Sequence, residues 1–209
     1  MHFYDCGTAP SPRRARIFIA EKGLEIPTTE VSIAGGEQLK PDFLAINPRA
    51  TVPVLVTDKG LAITENLAIA AYLEDVAPNP ALFGESPDEK AEILMWAAIA
   101  ESQGGTAVAE ALRNGNPHMK GRALPGPDNY DQIPELAERG VRRAGRFLDM
   151  LEERLSGREW MVGDSFSYAD ITTFVFVDFA RIIKVRVDET KPALNVWYTK
   201  MKERPSASL

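Results

Sequence analysis

Hydrophobic and polar positions divide the chain into two regimes. Up to about residue 77 the apolar residues come in short runs separated by breakers, and beyond about residue 88 they recur at helical spacing. Residues 2–6 read as a strand, and Gly7-Thr8-Ala9-Pro10-Ser11-Pro12 as a turn. Arg13 to Lys22 then reads as a helix closed by Gly23, with Ser11 expected at its N-cap and Pro12 at its first position. Glu30 to Ile33 suggests a second strand, parallel to the first because a helix crosses between them. A short helical stretch ends at Asn47-Pro48. Val54 to Thr57 and Leu61 to Thr64 flank Asp58-Lys59-Gly60 as an antiparallel hairpin, and Glu65 to Val76 forms the last helix.

The stretch from Ala77 to Pro87 has three prolines and no period, so it reads as a linker. The expected division is 1–77, a linker at 78–87, and an all-helical part at 88–209. Within that part Ala97, Ala100, Gly104 and Ala107 make a stripe of small residues that permits close helix approach, and Gly115 to Asp128 reads as a loop. Ala144, Phe147, Leu148, Leu151 and Leu155 mark an amphipathic helix. Ser167 and Asp170 have the spacing of a capping box ahead of the apolar run Ile171 to Ile182, and Pro192 to Glu203 forms the final helix.

Composition narrows the chemistry. Cys6 is the single cysteine, which excludes an internal disulfide and a paired-cysteine redox motif, and His2 and His118 lack metal-ligand spacing. The net charge of -6 argues against generic nucleic-acid binding, and the arginines at 13, 14, 16, 139, 142, 143 and 146 read as solvated helix faces. No basic leader or long apolar run points to a membrane, so a cytoplasmic protein is expected. Val52 precedes a proline that cannot donate to a sheet, which leaves main-chain groups of Val52 open to a ligand. The helix starting near Glu65 offers an anion site.

Asn47-Pro48, Val52-Pro53, the Thr64-Glu65-Asn66 helix start and Gly163-Asp164-x-Phe166-Ser167-x-Ala169-Asp170, in this order, resemble the cytosolic glutathione S-transferase superfamily, in its bacterial-type serine-containing form. The resemblance implies an α/β plus all-α fold, with a thioredoxin-like N-terminal domain (βαβ-αββα) and an α-helical C-terminal domain, assembled as a homodimer. It implies glutathione as co-substrate, no prosthetic group, and a small, mostly apolar electrophile bound in a cleft between the domains, with acceptor recognition from the helical domain. Pro53 matches a cis proline and Val52 the residue pairing with the cysteinyl part of glutathione. Glu65 and Asn66 match the pair holding the γ-glutamyl end, although serine is common where Asn66 stands. Gln38 or Lys40 matches the position binding the glycyl carboxylate. Ser11 matches the serine facing the sulfur, where it would donate to a thiolate rather than act as a base.

Other readings stay open. Ser11 alone is explained by capping, Glu65 by the helix dipole, and Cys6 and Tyr4 by packing in a strand. A non-catalytic binding or regulatory protein of the same fold is the alternative function. A glutathione-dependent thiol reductase is disfavoured by serine at the position where such relatives carry cysteine.

Overall fold

The computed structural model describes all 209 residues and divides them into two compact units. One comprises Met1–Pro80, Leu124–Asn129 and Leu209, and the other Ala81–Ala123 and Tyr130–Ser208.

The first unit holds β1 (His2–Asp5), α1 (Pro10–Glu21), β2 (Thr28–Glu30), a 3-10 turn at Glu37–Leu39, and α2 (Pro41–Leu44). It continues with β3 (Val54–Val56), β4 (Ala62–Thr64) and α3 (Asn66–Val76). The sheet order is β2-β1-β3-β4. β1 runs parallel to β2, with Phe3 opposite Thr28, and antiparallel to β3, with Phe3 opposite Leu55. The β3–β4 hairpin pairs Leu55 with Ile63. Phe3, Val54 and Leu55 are buried from the sheet, Ile17 and Phe18 from α1, and Ile69 and Leu73 from α3. This mixed sheet with helices is the thioredoxin-like arrangement expected, with two shifts. β2 lies two residues earlier than Glu30–Ile33, because the parallel register with β1 ends at Asp5 opposite Glu30. α1 begins at Pro10, so Ala9 is its N-cap and Ser11 lies in the first turn. Pro10 is the proline whose missing N–H and fixed φ suit the first helical position.

The second unit contains α4 (Pro87–Ile99), a π-helical turn at Ala100–Gly105, α5 (Thr106–Gly115), α6 (Pro134–Leu155), α7 (Tyr168–Phe179) and α8 (Pro192–Glu203). Ser86 caps α4 by accepting from the Glu89 N–H, so Pro87 is helical rather than part of the linker. The small-residue stripe is consumed inside the unit. A Cβ on Gly104 would lie 2.5 Å from the Phe147 ring, and one on Gly140 of α6 would lie 2.6 Å from the Ala107 carbonyl. The stripe is therefore how α5 and α6 approach, and it gives no support to a subunit contact.

α7 is anchored by Asp170, whose side chain is fully buried. Its Oδ2 accepts from the Ser167 N–H (3.0 Å) and hydroxyl (2.9 Å), the capping-box side expected. Its Oδ1 accepts from the Met161 N–H and from Trp197 Nε1–H of α8, both at 2.9 Å. Burial pushes this carboxyl above the usual aspartate range, and those donors oppose the shift. The aromatic residues Trp160, Tyr168 and Trp197 are buried, as core residues should be.

Arg139, Arg142 and Arg146 are exposed, as their spacing implied, but Arg14 and Arg16 are less solvated than expected. Arg14 is 4% exposed, and Arg16 pairs with buried Asp5 at 2.6 Å. Arg139 and Arg143 converge on Glu110 of α5 at 2.8 and 3.1 Å. No helix is long and apolar enough to cross a membrane.

Candidate functional site

The first unit brings the start of α1 against the start of α3. Asn66 Nδ2 donates to Ser11 Oγ at 2.8 Å, joining residues 55 apart in sequence. Arg14 Nη2 lies 3.5 Å from the same oxygen, one turn further along α1. Ser11 is half-buried, whereas Asn66 is 5% exposed and its Oδ1 is buried with no hydrogen-bond partner. Ser11 is thus not the cap of its helix. Its hydroxyl oxygen is faced by two donors.

Glu65 is the N-cap residue of α3 and has φ +68°, a left-handed conformation unusual for a residue with a side chain. This turn points the exposed Glu65 carboxylate to solvent, where Arg49 Nη1 approaches to 3.6 Å. Asn66 opens α3, so its N–H belongs to the group of helix-terminal donors without an intrahelical acceptor. Anions are favoured at such a terminus.

Val52 is buried and stands ahead of β3, whose paired register starts at Val54. The Val52–Pro53 bond is cis. The turn leading into it is braced by Asn47, which donates from Nδ2 to the Thr51 carbonyl (2.8 Å) and accepts from the Arg49 N–H (3.1 Å).

Gln38 and Lys40 diverge. Gln38 is buried, with an Oε1 that has no partner, whereas the exposed Lys40 ammonium lies 3.7 Å from Glu37. No hydrogen bond or ion pair joins either to the Ser11–Asn66 pair. Tyr4 packs edge-on against Phe43, and Cys6 is buried with its Sγ 3.6 Å from the Thr8 hydroxyl. Both are packing residues. Arg14 and Arg49 are the site neighbours that sequence reasoning missed. An arginine at helical spacing carries no signal of burial, and nothing next to Arg49 in sequence signals its approach to Glu65.

No group of His, Cys, Asp and Glu is placed to hold a metal. A cleft of about 640 Å³ lined by Phe3, Arg16, Ile19, Leu24 and Ile26 contains none of the residues described here as the site.

A thioredoxin-like unit with the Ser11 hydroxyl held at the start of a helix is followed in sequence by an all-helical unit. Comparison with known families agrees. Residues 8–76 match the N-terminal domain of glutathione S-transferase and residues 116–205 match its C-terminal domain. The chain belongs to the glutathione S-transferase family. It is 35% identical to glutathione S-transferase 2 of Saccharomyces cerevisiae over 99% of this chain and 87% of that protein. The crystal structure of Gtt2 from the same yeast matches at a TM-score of 0.86 and 34% identity, covering 100% of this chain and 99% of that one. A glutathione S-transferase domain-containing protein of Marinobacter aquaeolei VT8 matches at 0.87 and 35%, covering 99% of each. Members of this family use glutathione as a substrate.

Proposed function

We propose that the chain is an active glutathione transferase of the serine type, which binds glutathione in its first unit and transfers it to a small, mostly apolar electrophile. The observation carrying this reading is the Ser11 hydroxyl, held by donors on its oxygen so that its own proton is left for an acceptor. The thiol proton leaves to solvent and Ser11 donates to the resulting thiolate. The sulfur then bonds to the electrophilic carbon, which expels its leaving group or is protonated after addition. Val52 would pair with the cysteinyl main chain beside Pro53. Glu65 and the Asn66 N–H would hold the γ-glutamyl end, and buried Gln38, rather than ion-paired Lys40, would meet the glycyl carboxylate. The helical unit would supply acceptor recognition. A cytoplasmic homodimer is the expected working form on family grounds.

Isothermal titration with glutathione and turnover of an activated chloronitrobenzene test the reading. Binding with turnover is expected, and Ser11→Ala should raise the bound thiol pKa by about one to two units, the equivalent of losing a hydrogen bond to a charged group. Absence of glutathione binding overturns the reading. Binding without turnover of any electrophile would instead assign a non-catalytic role.

A further inference from the structure

The Asn66 side chain is the least expected element of the site. Were it a direct ligand of glutathione, it would need an exposed polar atom. Instead the residue is 5% exposed, its Oδ1 is buried and unpartnered, and its Nδ2 is directed at Ser11 Oγ. Leaving a buried amide oxygen without a partner is unfavourable, and native proteins tolerate it where the other end of the group has a task. Here the other end has one.

We propose that Asn66 is a positioning residue for Ser11, whose amide fixes the direction in which the serine proton points. This rests on the serine-type reading above. A serine hydroxyl has one proton to donate and lone pairs that accept two bonds. Asn66 Nδ2 at 2.8 Å and Arg14 Nη2 at 3.5 Å are both donors, so neither can receive the Ser11 proton. That proton is available only to a group arriving from outside. A free serine rotates among three staggered positions and can bond to its own backbone in a first turn. The pair of donors removes those options and leaves the hydroxyl ready for a thiolate. The amide is held in turn: Asn66 opens α3, and the left-handed Glu65 ahead of it sets the direction from which the chain enters that helix. The γ-glutamyl end would then meet the Asn66 main-chain N–H, not its side chain.

The test compares wild type, Ser11→Ala, Asn66→Ala and the double variant, following thiolate absorbance of bound glutathione against pH and affinity by calorimetry. Asn66→Ser, too short to reach Ser11 yet small and polar, repeats the test should Asn66→Ala misfold. Ser11→Ala should raise the thiol pKa by about one to two units, and either Asn66 variant by about half to one unit, the scale of one neutral hydrogen bond. Glutathione affinity should stay within about threefold in the Asn66 variants, and the double variant should match Ser11→Ala. If Ser11→Ala leaves the pKa unchanged, the serine-type reading falls and the positioning role with it. If Ser11→Ala shifts the pKa but Asn66→Ala and Asn66→Ser do not, only the positioning role is overturned. It is equally overturned by a lowered pKa in those variants, which would mean that Asn66 had been accepting the serine proton. A shift that persists in the Ser11→Ala background would show that Asn66 acts on the sulfur without the serine.

Discussion

Replacing Asp170 with alanine should destabilise the protein far more than loss of a helix cap. A cap is worth about 0.5–2 kcal/mol. Asp170 does more, since its two oxygens accept from the Ser167 N–H, the Ser167 hydroxyl, the Met161 N–H and the Trp197 indole N–H. The hydroxyl can turn to another acceptor, but the other three donors are fixed by backbone and ring. Each buried donor left without an acceptor costs about 1–3 kcal/mol, so the gross loss is about 3–9 kcal/mol. Water entering the space of the carboxylate returns part of this. A net loss of about 3–5 kcal/mol is expected, a large share of the roughly 5–15 kcal/mol that holds a native protein together. Urea unfolding should show a lower midpoint with unchanged slope. In a chain of this size each kcal/mol corresponds to about 2–4 °C, so the melting point should fall by about 6–20 °C. Trp197→Phe is the control: it removes one donor and leaves the carboxylate its other partners, so about 1 kcal/mol should be lost. A loss below about 1 kcal/mol in Asp170→Ala would show that its other partners find new acceptors and that the residue is a cap only.

Other perturbations have equally definite outcomes. Gly105→Ala would place a methyl 2.5 Å from the Phe176 ring and should cost about 1–3 kcal/mol by overpacking, read in the same urea assay. Gln38→Ala should weaken glutathione binding about tenfold, a loss of about 1.4 kcal/mol, if the Gln38 Nε2 donates to the ligand's glycyl carboxylate; Lys40→Ala, at an exposed and already paired ammonium, should change calorimetric affinity less than about threefold. Burial alone would raise the Glu110 carboxyl, but Arg139 and Arg143 bond to it and hold it below 4.5. A lowered carboxyl pKa stabilises the fold above the unfolded value and loses that contribution as pH falls through the folded value. Stability of wild type should therefore drop more steeply below pH 4.5 than that of Glu110→Gln, as followed by urea midpoints across pH.

What the sequence disclosed depended on where the deciding contacts lie. α8 was bounded by its own residues, with Pro192 at one end and Leu194, Trp197 and Met201 on one face. The hairpin followed from Asp58-Lys59-Gly60, and the capping box from the spacing of Ser167 and Asp170. β2 was misplaced because Thr28, Thr29 and Glu30 are all exposed and carry no alternation, while the apolar Val31–Ile33 stretch next to them attracted the assignment. The N-cap of α1 lies two residues before the one expected at Ser11, because prolines stand on both sides of Ser11 and either suits a first helical position. The chain takes the earlier one with a turn in which the Ala9 N–H donates to the Cys6 carbonyl. The π-helical turn has no sequence signal, and the burial of Arg14 and the link from Asn66 to Ser11 exist only once α1 and α3 meet.

That two-residue shift of α1 changes how a thiolate would be stabilised. Lowering a thiol pKa from about 8.5 by two units takes about 2.7 kcal/mol. With Ser11 as cap, a full helix terminus would have added its share. In the structure Pro10 and Pro12 bring no N–H, and the Arg13 N–H is directed at the Ala9 carbonyl at 3.4 Å, so Ser11 holds the unspent amide of the first turn. The terminus then contributes near the lower end of its range of about 0.3–1 kcal/mol. The hydroxyl bond, at about 1.5–3 kcal/mol, becomes the main term. A formal cation also stands behind it, since Arg14 is almost wholly buried with its guanidinium next to Ser11 Oγ. Neither a neutral hydroxyl nor a buried guanidinium is screened as surface charges are. The Debye length shortens from about 10 Å at 0.1 M salt to about 3 Å at 1 M, and exposed charges are the ones that respond. The thiol pKa of bound glutathione should therefore move by less than about 0.3 units over that range. The exposed Arg49–Glu65 pair will loosen, and overall affinity can change with it. A thiol pKa that climbed by about a unit with salt would place the stabilising charge at the surface, and would remove both Ser11 and Arg14 from the account.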